Sequence, residues 1–457
     1  MTTVTRSAAP TELERIRALA LELPDYERAT RDELLAYQQE RLRAVVRHAA
    51  SSSSYYSEVL GDAASIDFEL EQLPTLPKAT LMSQFDRIVT DPRLRRAELE
   101  EHLAHSDAGE LFLDRYHVFS TSGTTGLRGL VVLDRAEFRT WVAACLRAMA
   151  KIGITAETRL AAIGAPSAAH ITRQLFAAFI GGREGSPKLV VTTPLDEVVA
   201  GLNEYRPEVI MTYASIGGLL AEEQLQGRLH IAPRVVMVAS EVLTEDIERR
   251  MDEAWHIRAT NIYATTEAVY MALRWPDGDG LHVSEEHVIV EAVDDDNRPV
   301  PPGTPSYRVL LTSLVSRTQP LIRYEISDSV TMAAGPDPSG RPHARIASID
   351  GRSDDILHLA KQGGGEIDVH PYRLREPFAL RSEIVQYQVR QERGRFRVHV
   401  VLRRDAPSGT PEVVRRDLAR AIEEAGAVPP PIEVEPVQQI AREPGMGAKL
   451  KLVVSAA

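Results

Sequence analysis

Four short apolar runs constrain this chain more than any other feature. They are "RLAAIG" (159–164), "KLVVTT" (188–193), "VIMTY" (209–213) and "RVVMVAS" (234–240). Each is apolar at nearly every position and bounded by Gly, Pro or polar residues, the pattern of strands buried on both faces. Between and before them lie helical patterns. One opens with an Asp134…Glu137 capping box and sets Phe138, Val142, Leu146 and Met149 at helical spacing. Strands and helices in alternation predict an α/β fold with a mostly parallel sheet covered by helices on both faces.

The rest of the chain reads differently. At the N-terminal end a Thr30…Glu33 box starts a helix whose apolar stripe is Leu35, Leu42, Val45, Val46 and Ala49. From about 281 to 335, "HVIVEAVD" and "YRVLLTS" alternate around Pro/Gly turns, which predicts an antiparallel subdomain. Beyond Gly351 a hairpin is expected, with Val385, Tyr387 and Val389 on one strand and Phe396, Val398, Val400 and Leu402 on the other. A helix capped at Thr410, with Pro411 in its first turn, and a strand "PIEVEPV" complete a small α+β unit. The expected domains are therefore a large one over 1–350 and a small one over 351–457.

With 457 residues and a formal net charge of −12, the chain has room for two domains and lacks the basic balance of a nucleic-acid binder. No apolar run is long enough for a membrane helix, and the N-terminus lacks the apolar core of a signal peptide. A cytoplasmic protein with no membrane or nucleic-acid partner is expected. The single cysteine, Cys145, lies in an apolar run and reads as a buried small hydrophobe, not a nucleophile.

Five stretches could carry chemistry. "STSGTTGLRG" (120–129) is rich in glycine and hydroxyls, so its backbone N–H groups could turn toward an anion. It lacks the Gly-Lys-Ser/Thr of a Walker loop, and alone it is equally a solvated turn. "NIYATTEAVY" sets one carboxylate, Glu267, behind two threonines. "LIRYEISDSV" closes on Asp328, "IDGRSDDIL" is a charged turn, and "GMGAKLKLVV" puts Lys449 after a small-residue tract. Taken singly, each has a plain structural reading.

In order and spacing, these stretches resemble the adenylate-forming superfamily of acyl- and aryl-CoA synthetases, and within it the phenylacetate–CoA ligase branch. The likeness extends to "LLAYQQERLRAVVRHA" with its following "YY", to "LPTLPKATLMSQF" and to "ASEVLTEDIERRMDEAW". The resemblance implies that Thr121, Ser122, Gly123, Thr124, Thr125 and Gly126 embrace the β- and γ-phosphates of ATP. It implies Mg²⁺ at Glu267, the α-phosphate at Thr266, adenine against Tyr263, and Ser240–Glu241 on the nucleotide side. Asp328 would bind the ribose hydroxyls with Arg352, Asp354 would be the hinge of a mobile small domain, and Lys449 would bridge the substrate carboxylate and the α-phosphate. The "IGAPSAAHITRQLF" and "MTYASIGG" segments would line the acyl pocket, with His170 and Tyr213 contacting substrate and the small residues Ala165, Ser167 and Ala168 leaving room for a ring.

The activity so implied is ATP-dependent adenylation of a small, aromatic or other, carboxylic acid, followed by transfer of the acyl group to coenzyme A. Two alternatives stand beside it: the same adenylation with an amine or carrier-protein thiol as acceptor, and an inactive nucleotide-binding homologue. N-terminal helices often mediate dimers in this branch, which makes a homodimer one expected assembly. The chain departs from the family's habits at several points. Leu127 and Arg128 stand where relatives often place a lysine, and Ala264 stands where glycine is common. Glu325 and Ser327 replace frequent Arg or Lys, Thr and Gly, and Leu452 replaces an arginine.

Overall fold

The computed structural model describes residues 11–61, 68–105, 109–121, 128–167, 169–180, 183–379, 381–442 and 447–455. At its centre lies a nine-stranded sheet. Five strands run parallel in the order Leu189–Val190, Leu160–Gly164, Val209–Tyr213, Val235–Ala239 and Thr260–Tyr263. The sheet then continues antiparallel through Ala272–Leu273, Leu281–Val283, Arg345–Arg352 and Asp328–Met332.

The first four of these strands are apolar but for Thr212, whose buried hydroxyl donates to Ile163 O, because both of their faces are buried. Leu160, Ala162, Val209, Met211 and Met237 point into one core, with the helices Arg135–Lys151 and Ile171–Ile180. Ala161, Ile163, Ile210, Val236 and Val238 point into a second core, with Leu195–Tyr205, Ala214–Leu225 and Glu245–Trp255. Successive side chains of a strand face opposite ways, so a strand sandwiched between helix layers has no polar position to spare. The run "KLVVTT" forms only the two-residue edge strand.

The Asp134 box forms as expected, with Asp134 accepting from Ala136 N and Glu137 N and the Glu137 carboxylate accepting from Asp134 N. Phe138, Val142 and Met149 are buried and Leu146 is partly so. The Thr30 box also forms, at the start of the helix Arg31–Ser52. Its apolar stripe runs through Leu34 instead of Leu35: Leu34 is 0% exposed and Leu35 40%. Gln38 fixes that phase, because its amide donates to the buried carbonyls of Glu285 and Val288. A polar residue on the inner face is what the periodicity alone could not include.

The antiparallel subdomain is a three-stranded sheet of Val288–Val293, Arg308–Ser313 and Tyr324–Ile326. The small unit has its own core, spanning Leu357 to Val453, around a four-stranded sheet and the helix Thr410–Glu424. The cap of that helix is Gly409, and Thr410 is its first residue. Of the turn expected at about 350–358, only Ser353–Asp355 is a turn: the strand Arg345–Arg352 runs through the proposed domain boundary before it, and the strand Leu357–Ala360 begins soon after. Among the described residues no helix is long and apolar enough to cross a membrane.

Leu34→Ala is expected to cost about 2–5 kcal/mol in chemical denaturation, through lost burial and a residual cavity. Leu35→Ala should stay within about 0.5 kcal/mol, as surface changes do. The reverse order would restore the stripe read from periodicity.

Candidate active site

Where the parallel and antiparallel halves of the sheet meet the small unit, a cavity of ≈ 260 Å³ opens. Antiparallel register sets Asp328 directly opposite Arg352. Their side chains pair, with Arg352 Nε donating to Asp328 Oδ1 at 2.9 Å, while Tyr263 Oη donates to Asp328 Oδ2 at 2.9 Å. Asp328 thus draws together three residues that lie far apart in the sequence. The adjacent Asp328 carboxylate raises the pKa of Arg352, and burial, helped by Asp328, pushes that of Tyr263 well up. Asp354 lines the same cavity from the Ser353–Asp355 turn.

Glu267 and Thr266 follow the end of the strand Thr260–Tyr263 and both line the cavity. Glu267 is buried and accepts a hydrogen bond from Tyr324 Oη at 3.0 Å. Thr121 closes the hairpin side, at the end of the strand Tyr116–Ser120, and its hydroxyl accepts from Gly129 N at 2.8 Å. Ser122, Gly123, Thr124, Thr125, Gly126 and Leu127 lie outside the described residues, and Arg128 is exposed.

A cation that the sequence reading did not single out sits beside Thr121. Lys78 Nζ donates to Thr121 Oγ1 at 3.1 Å and lines the cavity, with its pKa lowered by burial and partly restored by Glu267. Lys78 is the first residue of the helix Lys78–Ser83, an end where the helix dipole disfavours cations. That anomaly was the available signal.

A second cavity, ≈ 90 Å³, adjoins the first. Its wall is apolar: Met149, Leu175, Phe176, Met211, Met237 and Val269 among others. Cys145 and Ala148 also line it, so the helix Arg135–Lys151 contributes wall that the sequence reading gave to other segments. A Cβ at Gly164 would stand 2.7 Å from the Phe176 ring, so only glycine there lets Phe176 keep its place. His170 lines both cavities, is 4% exposed, and its Nδ1 accepts from Thr172 N, which leaves the proton on Nε2. Burial, and then the Lys449 cation, hold its pKa down to about 3, so it is neutral. The expected contact at Tyr213 does not form at the wall. This residue is fully buried in the second core and lines neither cavity, because it ends a strand whose alternate side chains face the helices behind. Ala165 and Ser167 are likewise not part of either lining, and Ala168 lies outside the described residues.

Lys449, carried in from the small unit, lines both cavities at their junction together with His170, Ser240 and Thr266. Burial lowers its pKa to about 8; Arg352 adds to that, against Asp328, Glu241 and Glu267. Ser240 adopts φ +70°, a left-handed conformation that glycine reaches without strain. Beside it, Glu241 lines the polar cavity with Ser240, and its carboxylate accepts from Ser215 N, Leu450 N and Arg442. Leu452 packs partly buried against the small unit's core, where an arginine would have to bury its charge.

The chain belongs to the AMP-binding enzyme family, whose model matches residues 35–307. Among individual relatives, it is similar to phenylacetate-coenzyme A ligase of Thermus thermophilus, 26% identical over 385 residues and covering 80% of each chain. The Escherichia coli phenylacetate-coenzyme A ligase is 25% identical over 387 residues, covering 80% of this chain and 79% of that one. A crystal structure of 2-hydroxyisobutyryl-CoA ligase in the postadenylation state shares the fold, with a TM-score of 0.72 at 18% identity, over 92% of this chain and 89% of the other.

Cys145 is partly buried instead of fully so; its thiol lines the apolar cavity, with its pKa raised by burial to about 12. The native protein should therefore resist iodoacetamide at pH 8 and take up one equivalent once unfolded, as read by mass spectrometry. Native labelling at the rate of a free thiol would show the cavity open to water.

Proposed function

We propose that this chain is an ATP-dependent acid–thiol ligase that adenylates a small carboxylic acid with an apolar, preferably aromatic, tail and passes the acyl group to coenzyme A. The observation that carries this reading is the junction itself: one lysine, Lys449, lines a polar cavity and an apolar one at once. A carboxylate held there from the apolar side would meet a nucleotide held from the polar side. The relatives named above, two of them phenylacetate-coenzyme A ligases, support coenzyme A as the acceptor.

In this reading Asp328 and Arg352 hold the ribose, Tyr263 lies against the adenine, and Thr121 to Gly126 with Lys78 hold the phosphates. Thr266 contacts the α-phosphate and His170 faces the acid. Lys78 supplies the basic contact that Leu127 and Arg128 do not. The two domains meet at about Gly351, with Asp354 at the hinge. Glu267 suits Mg²⁺: among the described residues no group of three or more His, Cys, Asp or Glu side chains forms a metal cage, and Mg²⁺ needs only one or two carboxylates beside nucleotide oxygens and water. When bound, the ion supplies charge neutralisation to the phosphates.

The chemistry needs a cation where Lys449 is. A substrate carboxylate oxygen attacks the α-phosphorus, a new P–O bond forms, and the bond to pyrophosphate breaks. Negative charge grows on oxygens already negative, and a buried ammonium stabilises it more than water would. Neutral His170 adds no second positive charge to lower the Lys449 pKa further. In the second half-reaction a thiolate adds to the acyl carbon and AMP leaves.

A panel of carboxylic acids read by pyrophosphate release tests the reading, and product mass spectrometry with and without coenzyme A tests the acceptor. Apolar aromatic acids should release pyrophosphate; no acid-dependent release across the panel would refute it. Lys449→Ala is expected to slow adenylation by roughly 10²–10³-fold, while transfer from a pre-made acyl-adenylate survives. Because only the protonated lysine serves and its pKa is about 8, kcat/KM for adenylation should fall as pH rises through about 8. Lys449→Arg should flatten that limb, since guanidinium keeps its proton.

A further inference from the structure

Lys449 comes from one unit and works in the other, so something must set its place. We propose that Arg442 is the positioning residue, acting through a clasp with Glu241 that fixes the peptide groups on both sides of Lys449. The proposal rests on the adenylation reading of the site.

The clasp is fully drawn by its hydrogen bonds. Glu241 lies just beyond the strand Val235–Ala239 of the large unit, and its Oε2 accepts from Ser215 N at 3.0 Å. Its Oε1 accepts from Leu450 N at 2.7 Å and from Arg442 Nη1 at 3.1 Å. Arg442 Nη1 also donates to Ala448 O at 3.1 Å, and Nη2 to Ser215 Oγ at 2.7 Å. The carbonyl before Lys449 and the amide after it are therefore both held, one by the arginine and one by its carboxylate partner.

Three further observations give the clasp its function. The two charged side chains are 12% and 5% exposed, so either one left alone would be a buried, uncompensated charge. Ala448 sits at φ +44°, a left-handed conformation costly for alanine, with its carbonyl bonded to Arg442 and its methyl in the second core of the large unit. Gly447 packs against His170, a Cβ there falling 3.2 Å from Nε2, so the tail has no slack on that side. Held at Gly447, Ala448 and Leu450, the tail fixes the backbone from which the Lys449 side chain leaves. Opening the units would separate Arg442 from Ser215 and Glu241, and with them would go the placement of Lys449. The clasp thus belongs to adenylation and not to the thiol step.

Two measurements on the full-length protein test this. In Arg442→Met, acid-dependent pyrophosphate exchange should lose roughly 10–10²-fold in kcat, the effect of misplacing a catalytic group by about 1 Å. The KM for ATP and thioester formation from pre-made acyl-adenylate should stay within about 2-fold of wild type. Arg442→Lys, which keeps the charge but offers its donors from a single nitrogen in place of a planar fork, should recover only part of the loss. Equal losses in both half-reactions, or unchanged exchange, would overturn the proposal. The second readout needs no activity: hydrogen exchange of the 447–455 segment should quicken in Arg442→Met while the hairpin 384–402 keeps its protection. Unchanged protection of the tail, or loss through the hairpin as well, would count against a clasp. If wild type shows no exchange with any acid, the reading of the site fails, and the tail's protection still decides whether the clasp exists.

Discussion

Lys449 is taken out of water at the junction of two cavities, and burial there draws its pKa down to about 8. A cation in that position is useful only if enough negative charge stands nearby to keep it protonated. Asp328, Glu241 and Glu267 provide that charge from three separate places in the large unit. Each is itself tied down: Asp328 by Arg352 and Tyr263, Glu241 by Ser215 and Arg442, Glu267 by Tyr324. The sheet is what makes this possible. Parallel strands end side by side on one edge, so residues that follow their ends converge, as Ser240–Glu241 and Thr265–Glu267 do here.

Local signals made much of the fold legible in the sequence. The Thr30 and Asp134 boxes are each complete within four residues, and the doubly buried strands announce themselves by apolar residues on both faces. What could not be read depends on partners far along the chain. Nothing near Leu34 and Leu35 says which one faces inward; Gln38 decides it through carbonyls about 250 residues away. The strand through Asp350–Arg352 looked like a turn because its order comes from pairing with Asp328–Ser329.

The candidate site divides along the same line. Asp328, Arg352, Tyr263, Thr266, Glu267 and Lys449 stand out by motif and His170 by its segment, and all of them line the joined cavities. Lys78 and Arg442 carry no local signal of this kind, because they act through long-range contacts, Lys78 at Thr121 and Arg442 at Glu241 and Ser215. Tyr213 was chosen for being near the right segment, but strand alternation turns its side chain into the core. Adjacency in sequence does not say which face a strand residue takes.

The strand Arg345–Arg352 ends at the ion pair with Asp328, and the turn Ser353–Asp355 begins at the next residue. A swing of the small unit about that turn would leave Asp328 and Arg352 almost on the axle, where displacement is least. Lys449 lines the same cavity as this pair but is carried by the small unit, so it would leave with that unit. In the proposed reading, one rotation would then exchange the groups facing the reacting carbon while the nucleotide keeps its seat, with no need to release and rebind it between steps.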